Sequence, residues 1–326
     1  MAAPTPSSSR RRARLVEELA EHGLDLDGSA PWHDLAVTEL DYALRPHVHE
    51  RRVPSYGALV VPSTDPETWS AQTQLTIDRR PTGATPEADA RAYADGIASW
   101  LIRRLEGGDE WATFDRPAGS ERDLVVLAES FGAVAVQRHP SGVVRIGGDF
   151  GVYRWDGLDW RHEPLVGTWL DAWSACIEHG NREVLQTLLE FAVHDLGALG
   201  IGATLVYEPD EALHSAQDHR LAPPPPLRIT HPFDLAPLRH ALAQVDGASS
   251  FDTDGVLRHI GVRLVPSAEA ESAVAGFGGT RHTSARRYSW DDPGATVIVV
   301  SEDGPVTVLR HGKVLGESPH EPGDDV

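Results

Sequence analysis

The chain has little cysteine: Cys176 is the only one in 326 residues. That excludes an internal disulfide and a cysteine-based zinc site, and it fits a reducing cytoplasm. Long apolar runs are also missing, since none approaches the roughly 18 residues of a membrane span. The opening "MAAPTPSSSRRRAR" lacks the apolar segment of a secretory leader. Positive charge is scarce as well, with 29 Lys and Arg against 49 Asp and Glu and a net charge of −20. That balance argues against a general nucleic-acid-binding surface. It leaves room for a small anionic ligand, which needs only a local pocket of cations and N–H groups.

What is present is ordinary for a globular protein: 40% hydrophobic and 24% charged residues. At roughly 100–200 residues per domain, the length predicts two domains. Residues 1–14 read as a disordered tail in which Arg10, Arg11, Arg12 and Arg14 concentrate positive charge. A solubilising role is the favoured reading, and a contact with nucleic acid or lipid is the other. Residues 15–165 read as an α+β domain. Its expected helices are 13–28 and 87–108, followed by short strands in "DLVVLAES", "GAVAVQRH", "GVVRIGG" and "GVYRWDG". In "PHVHE", His47, His49 and Glu50 offer a minor metal reading against an exposed polar loop. The tryptophans of "YRWDGLDWRHE" are read first as core packing and second as an aromatic ligand face. Cys176 is read as buried packing.

The second half alternates helices and strands. A helix over 181–200 starts at Asn181 as N-cap, and a strand follows at 202–209. "LAPPPPLRIT" is extended because its prolines cannot donate. A helix over 234–245 precedes two strands around "DTDG". A glycine loop then leads into a helix at 279–290, and strands follow from 295. This order predicts an α/β class, with a C-terminal mixed β-sheet flanked by helices.

The most informative stretch is "GGTRHTSARR" (278–287). Glycines allow close approach to a backbone, and the helix start behind them offers unpaired N–H groups and a positive dipole end. With Thr280, Arg281, His282 and Ser284 added, the pattern is an anion site, for which phosphate is the usual occupant. The bland alternative is a capped helix start whose arginine serves a surface carboxylate. Two acidic elements accompany it. Asp246 sits in "VDGA", and Ser301 and Glu302 end the strand "VIVVSE" at an edge where α/β sheets keep ligands. A carboxylate beside phosphate is satisfied when Mg²⁺ or Mn²⁺ joins the two.

The order "VDGA", "GTRH", "VIVVSE" resembles the diadenylate cyclase (DAC) domain family, over roughly residues 166–318. The Asp-Gly-Ala motif is complete as Asp246-Gly247-Ala248. The Arg-His-Arg motif is present as Arg281-His282 with Thr283 in third place, which removes one cation. The resemblance implies condensation of two ATP into cyclic di-AMP and two pyrophosphates by a face-to-face homodimer. It implies that Asp246 helps bind the metal and activates the 3′-hydroxyl, with Glu302 as a weaker metal ligand. Gly247, Ala248 and Leu264 would line the nucleotide, while Gly279, Thr280, Arg281, His282, Ser284 and Ser301 would hold the phosphates. Residues 15–165 would then be a regulatory domain for a ligand or protein not named by the sequence, and 319–326 a tail. No membrane or specific nucleic-acid partner is expected. The other reading is a DAC-like nucleotide or cyclic-dinucleotide sensor with weak or no turnover.

Overall fold

The computed structural model describes residues 6–45, 48, 53–61, 69, 73, 75–163, 166–174, 180–209, 217–219, 221–276, 279–302 and 305–317. His47, His49, Glu50 and Cys176 lie outside the described residues. The chain folds as two compact units, 1–165 and 166–326.

The N-terminal unit is built on an eight-stranded sheet ordered β2-β4-β3-β1-β5-β6-β7-β8. Its strands are β1 (Tyr56–Val61), β2 (Ile77–Pro81), β3 (Ser99–Arg104), β4 (Glu110–Phe114), β5 (Val134–Arg138), β6 (Val144–Gly148), β7 (Gly151–Trp155) and β8 (Trp160–Glu163). Strand β1 is central and buried on both faces, which is why it reads as an unbroken apolar run. Ala58 and Val60 face one way and pack with Leu19 and Leu40 of helices α1 (Pro6–Glu21) and α2 (His33–Leu44). Leu59 and Val61 face the other way.

Three expectations are corrected here. The segment 87–108 is not one helix. A short α3 (Glu87–Arg91) stops, and the chain turns into β3. Gly96 takes φ +69 at the turn, and Asp95 Oδ1 accepts from the N–H groups of Ile97, Ala98 and Ser99. That local capping competes with helix continuation. "DLVVLAES" is helical within α4 (Glu121–Phe131), with a Ser120–Asp123 capping box and Gly132 closing it in the left-handed region. Its buried residues Leu124, Leu127, Ala128 and Phe131 keep three- and four-residue spacing, which outweighs its paired valines. The disordered tail is shortened, because α1 begins at Pro6. Its arginines hold it to α2, through Arg11 on Asp41 and Arg12 on Thr38.

The C-terminal unit carries a seven-stranded mixed sheet ordered β10-β12-β11-β9-β13-β14-β15. The strands are β9 (Ala203–Tyr207), β10 (Gln217–His219), β11 (Ala248–Phe251), β12 (Leu257–Leu264), β13 (Thr296–Val300), β14 (Val306–Arg310) and β15 (Lys313–Glu317). Only β9 and β11 run parallel. One face is covered by α5 (Gly167–Ser174), α6 (Arg182–Phe191) and α7 (Pro232–Leu242), whose Leu185, Leu188 and Leu238 pack on Leu205, Phe251 and Ile298. Asn181 caps α6 by accepting from Glu183 and Val184 N–H. The helix then widens into a π turn, Ala192–Leu196. On the other face, behind a short α8 (Ala268–Ala273), lies α9 (Thr280–Asp291). Its Ala285 and Tyr288 pack on Val206, Ala248, Val262, Val297 and Val299.

Candidate functional site

Helix α9 has few apolar residues, so polar ties fix it, and they cluster in its C-terminal half. Tyr288 Oη donates to the buried Glu208 at 2.8 Å. Arg286 Nε donates to the Gly312 carbonyl at 2.7 Å, and Arg287 Nε to the Val274 carbonyl at 3.2 Å. Asp291 accepts from Ser267 Oγ at 2.6 Å. With Arg286 and Arg287 so engaged, neither replaces the missing third cation of the motif. The N-terminal half is thereby held over the sheet edge with its first residues, Gly279 and Thr280, exposed.

Strand register fixes which strand ends lie near that helix start. Ala248 pairs with Thr204 in parallel and with Val262 in antiparallel, while Val300 pairs with Ala203. Gly202 and Ser301 lie one residue beyond the Ala203–Val300 pair, before β9 and after β13. Asp246 precedes β11 across the left-handed Gly247, which is set against Gly261 and Val262. Val206, Ala248, Leu264 and Val299 share the face that packs on α9. Arg281 reaches down onto Gly202: a Cβ built there would stand 2.6 Å from Arg281 Nη1 and 2.7 Å from Glu302 Cγ. Any side chain at 202 would push the guanidinium away. Arg281 Nη2 is 4.0 Å from Glu302 Oε1, and that carboxylate is 80% exposed. An ion pair this long and wet is weak, so the guanidinium stays open to a stronger anion.

Asp246 is exposed, and its Oδ1 accepts from the Gly247 N–H at 3.0 Å. Gly247 has φ +108, and a Cβ there would meet the Gly261 carbonyl carbon at 2.9 Å. Only glycine fits this position. Beside it, β11 and β12 shift register between Ala248 and Ser250, a bulge of the kind that re-aims side chains near sites. Gly279 is different: its backbone is extended (φ −76, ψ −177) and nothing lies within 4 Å of a Cβ placed there. Packing does not demand this glycine, and the space before the helix start is open.

The structure thus brings Arg281 and Glu302 together over Gly202, next to the Ala203–Val300 pair that Ser301 follows, and puts Ala248 and Leu264 on the α9 face with Gly247 against Gly261. His282 and Ser284 are turned elsewhere. His282 Nε2 lies 3.4 Å from Thr307 Oγ1 on β14, and Ser284 Oγ donates back to the Arg281 carbonyl at 3.0 Å. Thr283, in the third motif place, lies near Gly276. Gly202 was not singled out from the sequence. Its signal was the glycine of "GIGATLVYEP" directly before a buried strand.

A helix start beside an arginine held only by a long, exposed ion pair is an arrangement that can take a phosphate. Comparison with known families agrees. Residues 190–314 match the family described as DisA bacterial checkpoint controller nucleotide-binding (DAC), and residues 13–164 match the probable sensor domain DACNK. The C-terminal unit thus carries a DAC domain, and the N-terminal unit a domain of the DACNK type. No curated protein matches the chain. A solved structure described as a hypothetical membrane spanning protein from Bacillus cereus is 17% identical, covering 48% of this chain and 72% of its own, with a TM-score of 0.37. Among the described residues, no helix is long and apolar enough to cross a membrane.

Proposed function

We propose that the C-terminal unit is a cytoplasmic diadenylate cyclase, working as a face-to-face homodimer and regulated by the N-terminal unit. Each ribose 3′-oxygen attacks the opposite α-phosphorus. A phosphodiester forms, the bond to pyrophosphate breaks, and the hydroxyl proton is lost. Two such events close cyclic di-AMP. The observation that carries this reading is Arg281 seated on Gly202 beside Glu302, directly before the strand that pairs with both β11 and β13. Phosphoryl transfer depends chiefly on positioning and charge neutralisation, and Arg281 with the start of α9 is the part of the chain suited to the second.

In this reading Arg281, the N–H groups of α9, Thr280 and Ser301 bind phosphate oxygens. Gly247, Ala248 and Leu264 line the base and sugar, and Asp246 orients the 3′-hydroxyl. The exposed Asp246 carboxylate, set beside phosphate oxygens, is the kind of donor set that Mg²⁺ or Mn²⁺ shares with a nucleotide. When bound, such a cation neutralises charge on the reacting phosphate. Glu302 is the weaker ligand for it and serves better as a counter-ion to Arg281. His282 and Ser284 join the phosphates only by rotating from Thr307 and the Arg281 carbonyl.

The test is direct. Purified protein with ATP and Mn²⁺ is expected to yield cyclic di-AMP by chromatography. Asp246→Asn is expected to lose at least 100-fold in rate with an unchanged melting temperature. Retained activity in that variant removes Asp246 from its role. A second reading, nucleotide binding without turnover, is favoured by Thr283 and by the inward turn of Ser284. It is recognised by nucleotide binding with no product over a range of metals.

A further inference from the structure

A second cationic site lies in the N-terminal unit. A cleft of about 660 Å³ opens beside α1, the end of α2 and β7, lined by Arg10, Arg11, Arg14, Arg45 and Trp155, with Glu18 and Asp41. Four arginines against two carboxylates leave the lining near +2, in a chain whose net charge is −20. Both carboxylates are occupied. Asp41 takes Arg11 through two hydrogen bonds, one of 2.6 Å from Nε. Glu18 accepts the Trp160 indole N–H at 2.8 Å. Arg10, Arg14 and Arg45 have no ion pair among the described residues, and all three are exposed. Arg10 and Arg14 are one helical turn apart and share a face of α1. With Asp41 held by Arg11 and Glu18 by the Trp160 indole, Arg10, Arg14 and Arg45 remain to meet an incoming anion.

The rest of the lining narrows the class. Arginine forks match phosphate oxygens in geometry. Trp155 is only partly buried and offers an aromatic face, tilted against Trp160 with ring centroids 5.5 Å apart. Leu15 and Leu44 supply apolar walls. Arginines and an aromatic ring lining one cleft of about 660 Å³ suit a small molecule that carries both phosphate and a planar base. An extended polyanion such as duplex DNA, or an anionic membrane, would also meet the rest of a chain whose net charge is −20.

We infer that this cleft binds a small phosphate-bearing nucleotide and is the input site of the sensor unit. The site stands apart from the cyclase reading. The test therefore uses the full chain carrying Asp246→Asn and Arg281→Ala, which silences the C-terminal site. Calorimetric titrations with pyrophosphate, AMP, ATP and cyclic di-AMP are expected to show at least one nucleotide binding once per chain. Adding Arg14→Ala and Arg45→Ala should weaken it at least tenfold. Trp155→Leu, with circular dichroism confirming the fold, should weaken the nucleotide several-fold and leave pyrophosphate unchanged. The inference is overturned if none of the four binds or if the arginine variants bind as tightly as their parent. Binding only to duplex DNA or anionic vesicles also overturns it.

Discussion

At the scale of single residues, the site depends on one missing side chain. Gly202 lies beneath the guanidinium of Arg281, with 2.6 Å between an imagined Cβ and Nη1. Real Cβ contacts do not come that close, so Gly202→Ala must displace the arginine tip. The tip is the far end of a flexible side chain, and the shift is cheap in folding terms. The variant should lose about tenfold in ATP affinity, on the order of 1.4 kcal/mol, with stability changed by less than about 1 kcal/mol. Calorimetry and thermal melting measure the two sides. Unchanged affinity would show that Arg281 does not meet phosphate from its seat on Gly202. Gly247 makes the opposite case: its left-handed backbone and close neighbour carbonyl make it a folding requirement, so loss of activity on its substitution says little about chemistry.

At the scale of elements, α9 is an arm pinned at one end. Tyr288 is fully buried, and its hydroxyl meets the buried Glu208 at the far end of β9. Tyr288→Phe leaves a buried carboxylate short of a donor, which should cost about 1–3 kcal/mol in chemical denaturation. It should also lower ATP affinity, because the pinned half sets where Arg281 points. Stability at the parent level would show that Glu208 is held without this tyrosine. This scale also shows what the sequence made legible. "DTDG" between two apolar runs marked the β11–β12 hairpin, and "GGTRHTS" marked the start of α9, because turn and cap chemistry is local. The segments 87–108 and 121–131 were harder. Both contain short apolar runs that fit either period. The deciding features were Asp95 gathering three N–H groups and the Ser120–Asp123 box. Asp246, Gly247, Ala248 and Arg281 stand out in the sequence through their motifs. The turned directions of His282 and Ser284, and the seat at Gly202, were not, because they arise from how α9 crosses the sheet.

At the scale of the whole molecule, each unit carries its own electrostatic device. In the N-terminal unit, Glu39 is fully buried and accepts from Arg91 at 2.9 Å, Arg103 at 2.6 Å and the Tyr56 hydroxyl. Burial, then the charge of Glu39, pushes the Tyr56 phenol well above its ordinary value of 10.0. A raised phenol stabilises the fold fully below pH 10. That contribution falls as the pH rises further, because the unfolded chain then binds fewer protons, with a slope of at most about 1.4 kcal/mol per pH unit. Tyr56→Phe should therefore cost about 1.5–3 kcal/mol near neutrality. The gap to the parent should narrow above pH 10 in unfolding experiments between pH 8 and 11. A constant gap would contradict the linkage. In the C-terminal unit, the central claim is that Asp246 and Arg281, 35 positions apart in the chain, act on one triphosphate. A double-mutant cycle on ATP binding with Mn²⁺, using Asp246→Asn, Arg281→Ala and the pair, tests it most directly. Residues that share a ligand are expected to couple by about 0.5–3 kcal/mol. Losses that add to within about 0.3 kcal/mol, or an affinity indifferent to both changes, would contradict it.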